Sequence, residues 1–156
     1  MTFNTGDPEK TMAFGAVLAR RLAVGDCILL DGPLGVGKTT LVRGMMRELG
    51  IAGPVRSPTY NLVHEYHTSP PVAHADLYRL STGDEVATLG LEELLSRSVL
   101  VLEWPDRAPA VLPKDALVVR MEFAADEARK LALRAGGPQS AGLLSYVRGD
   151  LEAAGI

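Results

Sequence analysis

The stretch Asp26-Cys-Ile-Leu-Leu-Asp-Gly-Pro-Leu-Gly-Val-Gly-Lys-Thr-Thr40 decides how this chain folds. Its first six residues form a short apolar run, the pattern of a strand buried in a parallel sheet. The next eight, Gly32 to Thr39, match G-x-x-x-x-G-K-[ST], a loop that binds phosphate. Glycines at 32, 35 and 37 let the backbone curl until its N–H groups converge on phosphate oxygens. The amides of Gly35, Val36, Gly37, Lys38 and Thr39, with Thr40 beside them, form the expected cradle. Lys38 supplies a cation for the β and γ phosphates, and the Thr39 hydroxyl can ligate Mg²⁺. From Lys38 to Leu49, Leu41, Val42, Met45, Met46 and Leu49 fall on one helical face, and Gly50 stops the helix. Its positive dipole end points at the same anion. The ligand implied is the phosphate chain of a nucleoside triphosphate, ATP with magnesium.

Outward from this unit, Pro8 to Ala23 reads as an amphipathic helix, with Asp7 as N-cap and Gly25 at its end. Strands are expected at Thr59 to Tyr66, Val72 to Leu77, Ser98 to Glu103, Leu117 to Phe123 and Lys130 to Ala135. Gly83 to Leu95 reads as one or two short helices broken at Gly90, and Leu143 to Ala154 as a closing helix. Strands alternating with helices predict an α/β fold, a three-layer sheet with helices on both faces. No repeat or linker divides the 156 residues, so one domain is expected.

A phosphate loop needs an acid nearby to hold magnesium or position water. Glu103 ends the run Val-Leu-Val-Leu, and Asp76 ends Val-Ala-His-Ala. Both are placed at carboxyl ends of strands, where ligands sit in open α/β sheets. His64, His67 and His74 lie on different elements with no cysteine partner, which favours a structural role over a metal site. Cys27 reads as core packing, and Arg43, Arg47 and Arg79 as solvated, with Arg79 close enough to Asp76 to help organise the site.

The net charge of −3 and the absence of a basic block make the chain a poor stand-alone nucleic-acid binder. A lone cysteine, no secretion signal and no long apolar span point to the cytoplasm, with no membrane partner. A small-molecule kinase would carry an arginine-rich lid, and a GTPase an Asn/Thr-Lys-x-Asp segment; neither is visible. A nucleotide-sensing module without catalysis stays open.

Three further segments, Ser57-Pro-Thr-Tyr-Asn-Leu-Val63, His74-Ala-Asp-Leu-Tyr-Arg-Leu80 and Leu102-Glu-Trp-Pro105, follow the phosphate loop in this order. With it they resemble the bacterial tRNA threonylcarbamoyladenosine biosynthesis ATPase family, TsaE, over about Thr11 to Arg129. The resemblance implies a P-loop NTPase-like fold and a small Mg-dependent ATPase. It also implies two partners, a threonylcarbamoyl transferase subunit and its companion, that modify N6 of adenosine 37 in tRNA, with tRNA met only through the complex. It assigns Lys38 and Thr39 to phosphate and magnesium, Glu103 to the metal side, Asp76 to its water shell and Trp104 to a functional role beside Glu103. Ser57 to Tyr60 match a switch-like loop, and Arg129 a nucleotide-proximal position; with Thr11, Arg129 is a candidate for the adenine side. Two departures, Pro33 for an acid and Ala75 for an aromatic, remove no catalytic group.

Overall fold

A computed structural model describes all residues from Met1 to Ile156. Its frame is one sheet of seven strands: β1 (Thr2–Thr5), β2 (Cys27–Asp31), β3 (Val63–Tyr66), β4 (Val72–Asp76), β5 (Val99–Glu103), β6 (Leu117–Phe123) and β7 (Arg129–Ala135). Five helices accompany it: α1 (Pro8–Ala19), α2 (Lys38–Glu48), α3 (Gly83–Ala87), α4 (Leu91–Arg97) and α5 (Pro138–Ala154). The spatial order is β1-β7-β6-β2-β5-β4-β3. The four central strands β6, β2, β5 and β4 run parallel, while β7, β1 and β3 pair antiparallel at the flanks.

Strand period two sends alternate side chains to opposite faces, and each face has its own core. Ile28, Leu30, Val99, Val101, Leu117 and Val119 pack with Phe14, Leu18, Leu41, Met45, Val147 and Leu151 from α1, α2 and α5. On the reverse face Cys27, Leu29, Ala73, Ala75, Leu100 and Leu102 pack with Val86, Leu91 and Leu94 from α3 and α4. Helices therefore cover both faces, as the alternating pattern requires. Cys27 is core, and burial first, then the Asp26 charge, push its thiol up to about 12.

Helices α1 and α2 meet closely because each offers a glycine at the crossing. A β-carbon at Gly44 would lie 2.1 Å from the Met12 carbonyl oxygen, and one at Gly15 would lie 2.2 Å from that of Leu41. The crossing seats α2, and so its N-terminus, against the sheet.

Three expectations shift, and one strand is new. Helix α1 ends at Ala19, not Ala23, because Arg21 and Leu22 donate in tight turns to the carbonyls of Leu18 and Ala19. The expected strand from Thr59 begins only at Val63, since Leu62 turns back to Pro58 (2.7 Å) with φ of +64°. Helix α5 starts at Pro138 rather than Leu143, because the Asp115 carboxylate accepts from the amides of Gln139 and Ser140 (2.9 Å each) and caps it from a distance. Strand β1 had no sequence signal and exists through its pairing with β7.

Candidate active site

Parallel register brings the singled-out residues together. Asp76 pairs with Glu103 across β4 and β5, and Leu30 of β2 pairs with Glu103 on the other side. The carboxyl ends of three adjacent strands thus deliver the phosphate loop, Glu103 and Asp76 to one rim. They line a cavity of about 320 Å³ with Lys38, Thr39, Ser57, Thr59, Tyr78 and Trp104.

The loop adopts the expected curl. Gly32, Gly35 and Gly37 have φ of +149°, +76° and +113°. At Gly32 a side chain is also excluded by packing, because a β-carbon would stand 2.4 Å from the Met121 carbonyl oxygen. Gly37 is the N-cap of α2 and offers no side chain to its first-turn amides, which are left free to bind an anion.

Lys38 is 5% exposed, and its Nζ donates to the carbonyls of Gly32 (2.6 Å) and Pro33 (3.0 Å). Its ammonium stands 4.0 Å from the centre of the Trp104 ring. Burial pushes Lys38 below its ordinary pKa, and the charges of Glu103, Asp76, Asp31 and Asp106 only partly pull it back. An incoming phosphate would supply a directly bonded counter-charge, where Nζ now has only two neutral carbonyls.

Thr39 Oγ1 donates to Glu103 Oε1 at 3.4 Å. Magnesium takes oxygen ligands at about 2.1 Å in octahedral geometry, so neighbouring ligands lie roughly 3 Å apart. The Thr39 hydroxyl and the Glu103 carboxylate are therefore close enough to share one ion. No three His, Cys, Asp or Glu side chains converge to form a protein-only metal cage. The donor set suits an ion completed by water and substrate phosphate.

Asp76 is buried and fully engaged. Its Oδ2 accepts from Ser57 Oγ and from Thr59 Oγ1 (3.0 Å), and its Oδ1 accepts from the Tyr78 amide (2.9 Å). The acid ties the Ser57 to Tyr60 loop to the end of β4. At the tip of that loop Tyr60 is 82% exposed, with the Arg79 guanidinium stacked 4.0 Å over its ring. Trp104 takes φ of +62° directly after β5, which turns its indole back over Lys38 and beside the Tyr78 ring (4.9 Å between centres).

Thr11 and Arg129 meet in a second cavity of about 190 Å³, which shares Gly35, Gly37 and Thr40 with the first. Arg129 donates through Nε to the Val36 carbonyl (2.9 Å), clamping the loop from outside. The Thr11 hydroxyl is occupied by Thr5 (2.8 Å) and the Asp7 carbonyl (3.2 Å), so this residue shapes the wall and offers no free hydroxyl. A larger cavity of about 420 Å³ lies near Asp31, Lys114 and Arg134. It has no glycine-rich loop, and its charges are mixed.

Two contributors escaped the sequence reading. Tyr78 was not singled out, although its place two residues after Asp76 suits an amide that closes onto the carboxylate. His74, read as structural, is fully buried and bonds Glu103 through Nε2 at 2.8 Å. The available signal was a lone histidine inside an apolar strand, on the same face as Asp76.

Comparison with known proteins agrees with these features. The family profile described as "Threonylcarbamoyl adenosine biosynthesis protein TsaE" matches residues 5–131. A tRNA threonylcarbamoyladenosine biosynthesis protein TsaE from Streptomyces coelicolor is 43% identical over 128 residues, covering 76% of this chain and 86% of that protein. The protein of the same name from Bacillus subtilis is 34% identical over 139 residues, covering 88% and 87%. The crystal structure of Bacillus subtilis YdiB superposes with a TM-score of 0.83 at 29% identity, covering 95% of this chain and 93% of that one. With the match spanning α1 to β6 and every residue of the phosphate rim, the chain belongs to the TsaE family.

Proposed function

We propose that the 156 residues act as one P-loop ATPase unit that binds and hydrolyses Mg-ATP in support of threonylcarbamoylation of N6 of adenosine 37 in tRNA. The pathway follows from family membership and the names of the relatives. The chemistry is supported by one observation above all: Lys38, Thr39 and Glu103 line one cavity where parallel strands end.

The amides of Gly35 to Thr39 hold the phosphate chain, with Thr40 at the junction to the cavity of Thr11 and Arg129, which takes the adenosine end. Lys38 exchanges its two carbonyl partners for β and γ oxygens. Thr39 and Glu103 hold magnesium, which when bound neutralises charge developing on the transferred phosphoryl group. Glu103 orients the attacking water. Asp76 acts one layer out, holding Ser57 and Thr59 against the rim, and Trp104 screens Lys38 from solvent.

The proposed partners are a threonylcarbamoyl transferase subunit and its companion, with tRNA reached only through that complex and the cytoplasm as the setting. No helix is long and apolar enough to cross a membrane. Hydrolysis measured with and without the transferase pair, alongside tRNA modification, tests the reading. Stimulation with free phosphate as sole product is expected. No stimulation together with unchanged modification refutes the role, and a phosphorylated small molecule refutes the ATPase.

A further inference from the structure

We propose that His74 is a positioning residue for Glu103, fixing which carboxylate oxygen faces the phosphate cavity. The proposal rests on the role given to Glu103 above. His74 lies two residues before Asp76 on β4 and has no solvent exposure. Its Nε2 is 2.8 Å from Glu103 Oε1, while its Nδ1 is the one buried side-chain polar atom without a hydrogen-bond partner.

That asymmetry assigns the ring. An ionised carboxylate only accepts, so Nε2 carries the hydrogen and Nδ1 is left as a bare lone pair. The opposite tautomer would bury an N–H with no acceptor, the rarer and more costly arrangement. The imidazole is thus a donor aimed at Glu103 and engaged nowhere else. It is held between Val101 of β5 and His64 of β3 in the ladder, so its direction is set by the sheet.

The effect falls on the carboxylate. Oε1 receives both His74 Nε2–H and, more weakly, the Thr39 hydroxyl (3.4 Å). Oε2 accepts no hydrogen bond from the protein, and Glu103 lines the phosphate cavity. His74 therefore ties one oxygen back to the strand and leaves the other presented to the site. Without that donor the carboxylate can rotate, and the site loses a fixed acceptor for magnesium or water. Removing partners of this kind typically lowers metal affinity or activity by about 10- to 100-fold.

The test uses the intact chain carrying His74→Leu, His74→Gln or His74→Asn, each alone and combined with Glu103→Gln. Hydrolysis and ATP affinity with and without magnesium are measured by calorimetry, with melting curves to verify folding. Glutamine can place an amide N–H close to the position of Nε2, whereas asparagine reaches only to that of Nδ1. We expect His74→Leu and His74→Asn to lose about tenfold or more in turnover and most of the affinity gained on adding magnesium, with magnesium-free affinity kept. His74→Gln should recover both to within several-fold, and no His74 change should add to Glu103→Gln. Equal turnover and magnesium gain in the glutamine and asparagine variants overturns the proposal even if His74→Leu fails to fold, and so does additivity with Glu103→Gln. If Glu103→Gln itself hydrolyses normally, the role of Glu103 fails first; if it is inactive while His74→Leu is not, only the role of His74 fails.

Discussion

Gly44→Ala should destabilise the chain far more than a one-carbon change suggests. A β-carbon there would stand 2.1 Å from the Met12 carbonyl oxygen and 2.7 Å from its carbonyl carbon, where ordinary contact begins at 3.4 Å. A β-carbon has no rotamer with which to escape, so α1 and α2 must separate by roughly 1 Å, enough to forfeit a quarter to a half of each close-contact attraction. The side chains affected include Phe14, Val17 and Leu18 against Leu41, Val42 and Met45, all within one buried cluster. If the three on α1 each direct about 25 atom contacts across to α2 at ~0.15 kcal/mol, about 3–6 kcal/mol is lost. Alanine returns about 1 kcal/mol of helix propensity, leaving a net loss of about 2–5 kcal/mol. At 2–4 °C per kcal/mol for a chain of this size, the melting midpoint falls by about 10 °C. Gly149→Ala is the control: it sits in α5 with nothing within 4 Å of the added carbon, and should stabilise by roughly 0.5–1 kcal/mol. Urea and thermal unfolding of the two variants decide the matter. A Gly44→Ala midpoint at or above wild type would refute the close-contact reasoning.

Glu103→Gln should lose about 10²-fold in hydrolysis while keeping magnesium-free ATP affinity within a few-fold, whereas Lys38→Ala loses both; equal loss in magnesium-free affinity and rate for Glu103→Gln counts against its assignment. Asp76→Ala frees Ser57 and Thr59, so trypsin should cut after the exposed Arg56 several-fold faster, and an unchanged digestion rate would remove Asp76 as the anchor of that loop. Hydrogen bonds from the Ser140 side chain and the Ser140 and Gln139 amides hold the Asp115 carboxyl below its ordinary range. A depressed carboxylate stabilises the fold above its unfolded pKa of about 4 and loses that contribution as pH falls through the folded value. Asp115→Asn should therefore lower the urea midpoint at pH 7, with the deficit closing in acid below the carboxylate range; a pH-independent deficit would refute the linkage.

What the sequence made legible was local. Gly32, Gly35, Gly37, Lys38 and Thr39 are each constrained by their own backbone or by the ligand chemistry, so the loop could be read without its neighbours. Asp76 and Glu103 were readable because an acid ending an apolar run marks a strand's carboxyl end. Non-local features were not. Strand β1 is four residues that alternate between exposed and buried and gain their conformation from β7, more than 120 positions away. The early start of α5 depends on Asp115, more than 20 residues upstream. The Thr59 region alternates like a strand, yet Asp76 captures Ser57 and Thr59 and keeps it a turn. His74 resembled any strand histidine until parallel register placed it beside Glu103.

The left-handed turn at Trp104 gives the molecule a built-in optical reporter. Trp104 is the sole tryptophan, and its indole lies 4.0 Å from the ammonium that, in the proposed mechanism, changes partners when a phosphate chain enters. A cation moving across an indole face alters the field on its excited state, so the ultraviolet emission of the unlabelled protein registers occupancy of the loop. The residue that shields the lysine also makes its movements visible.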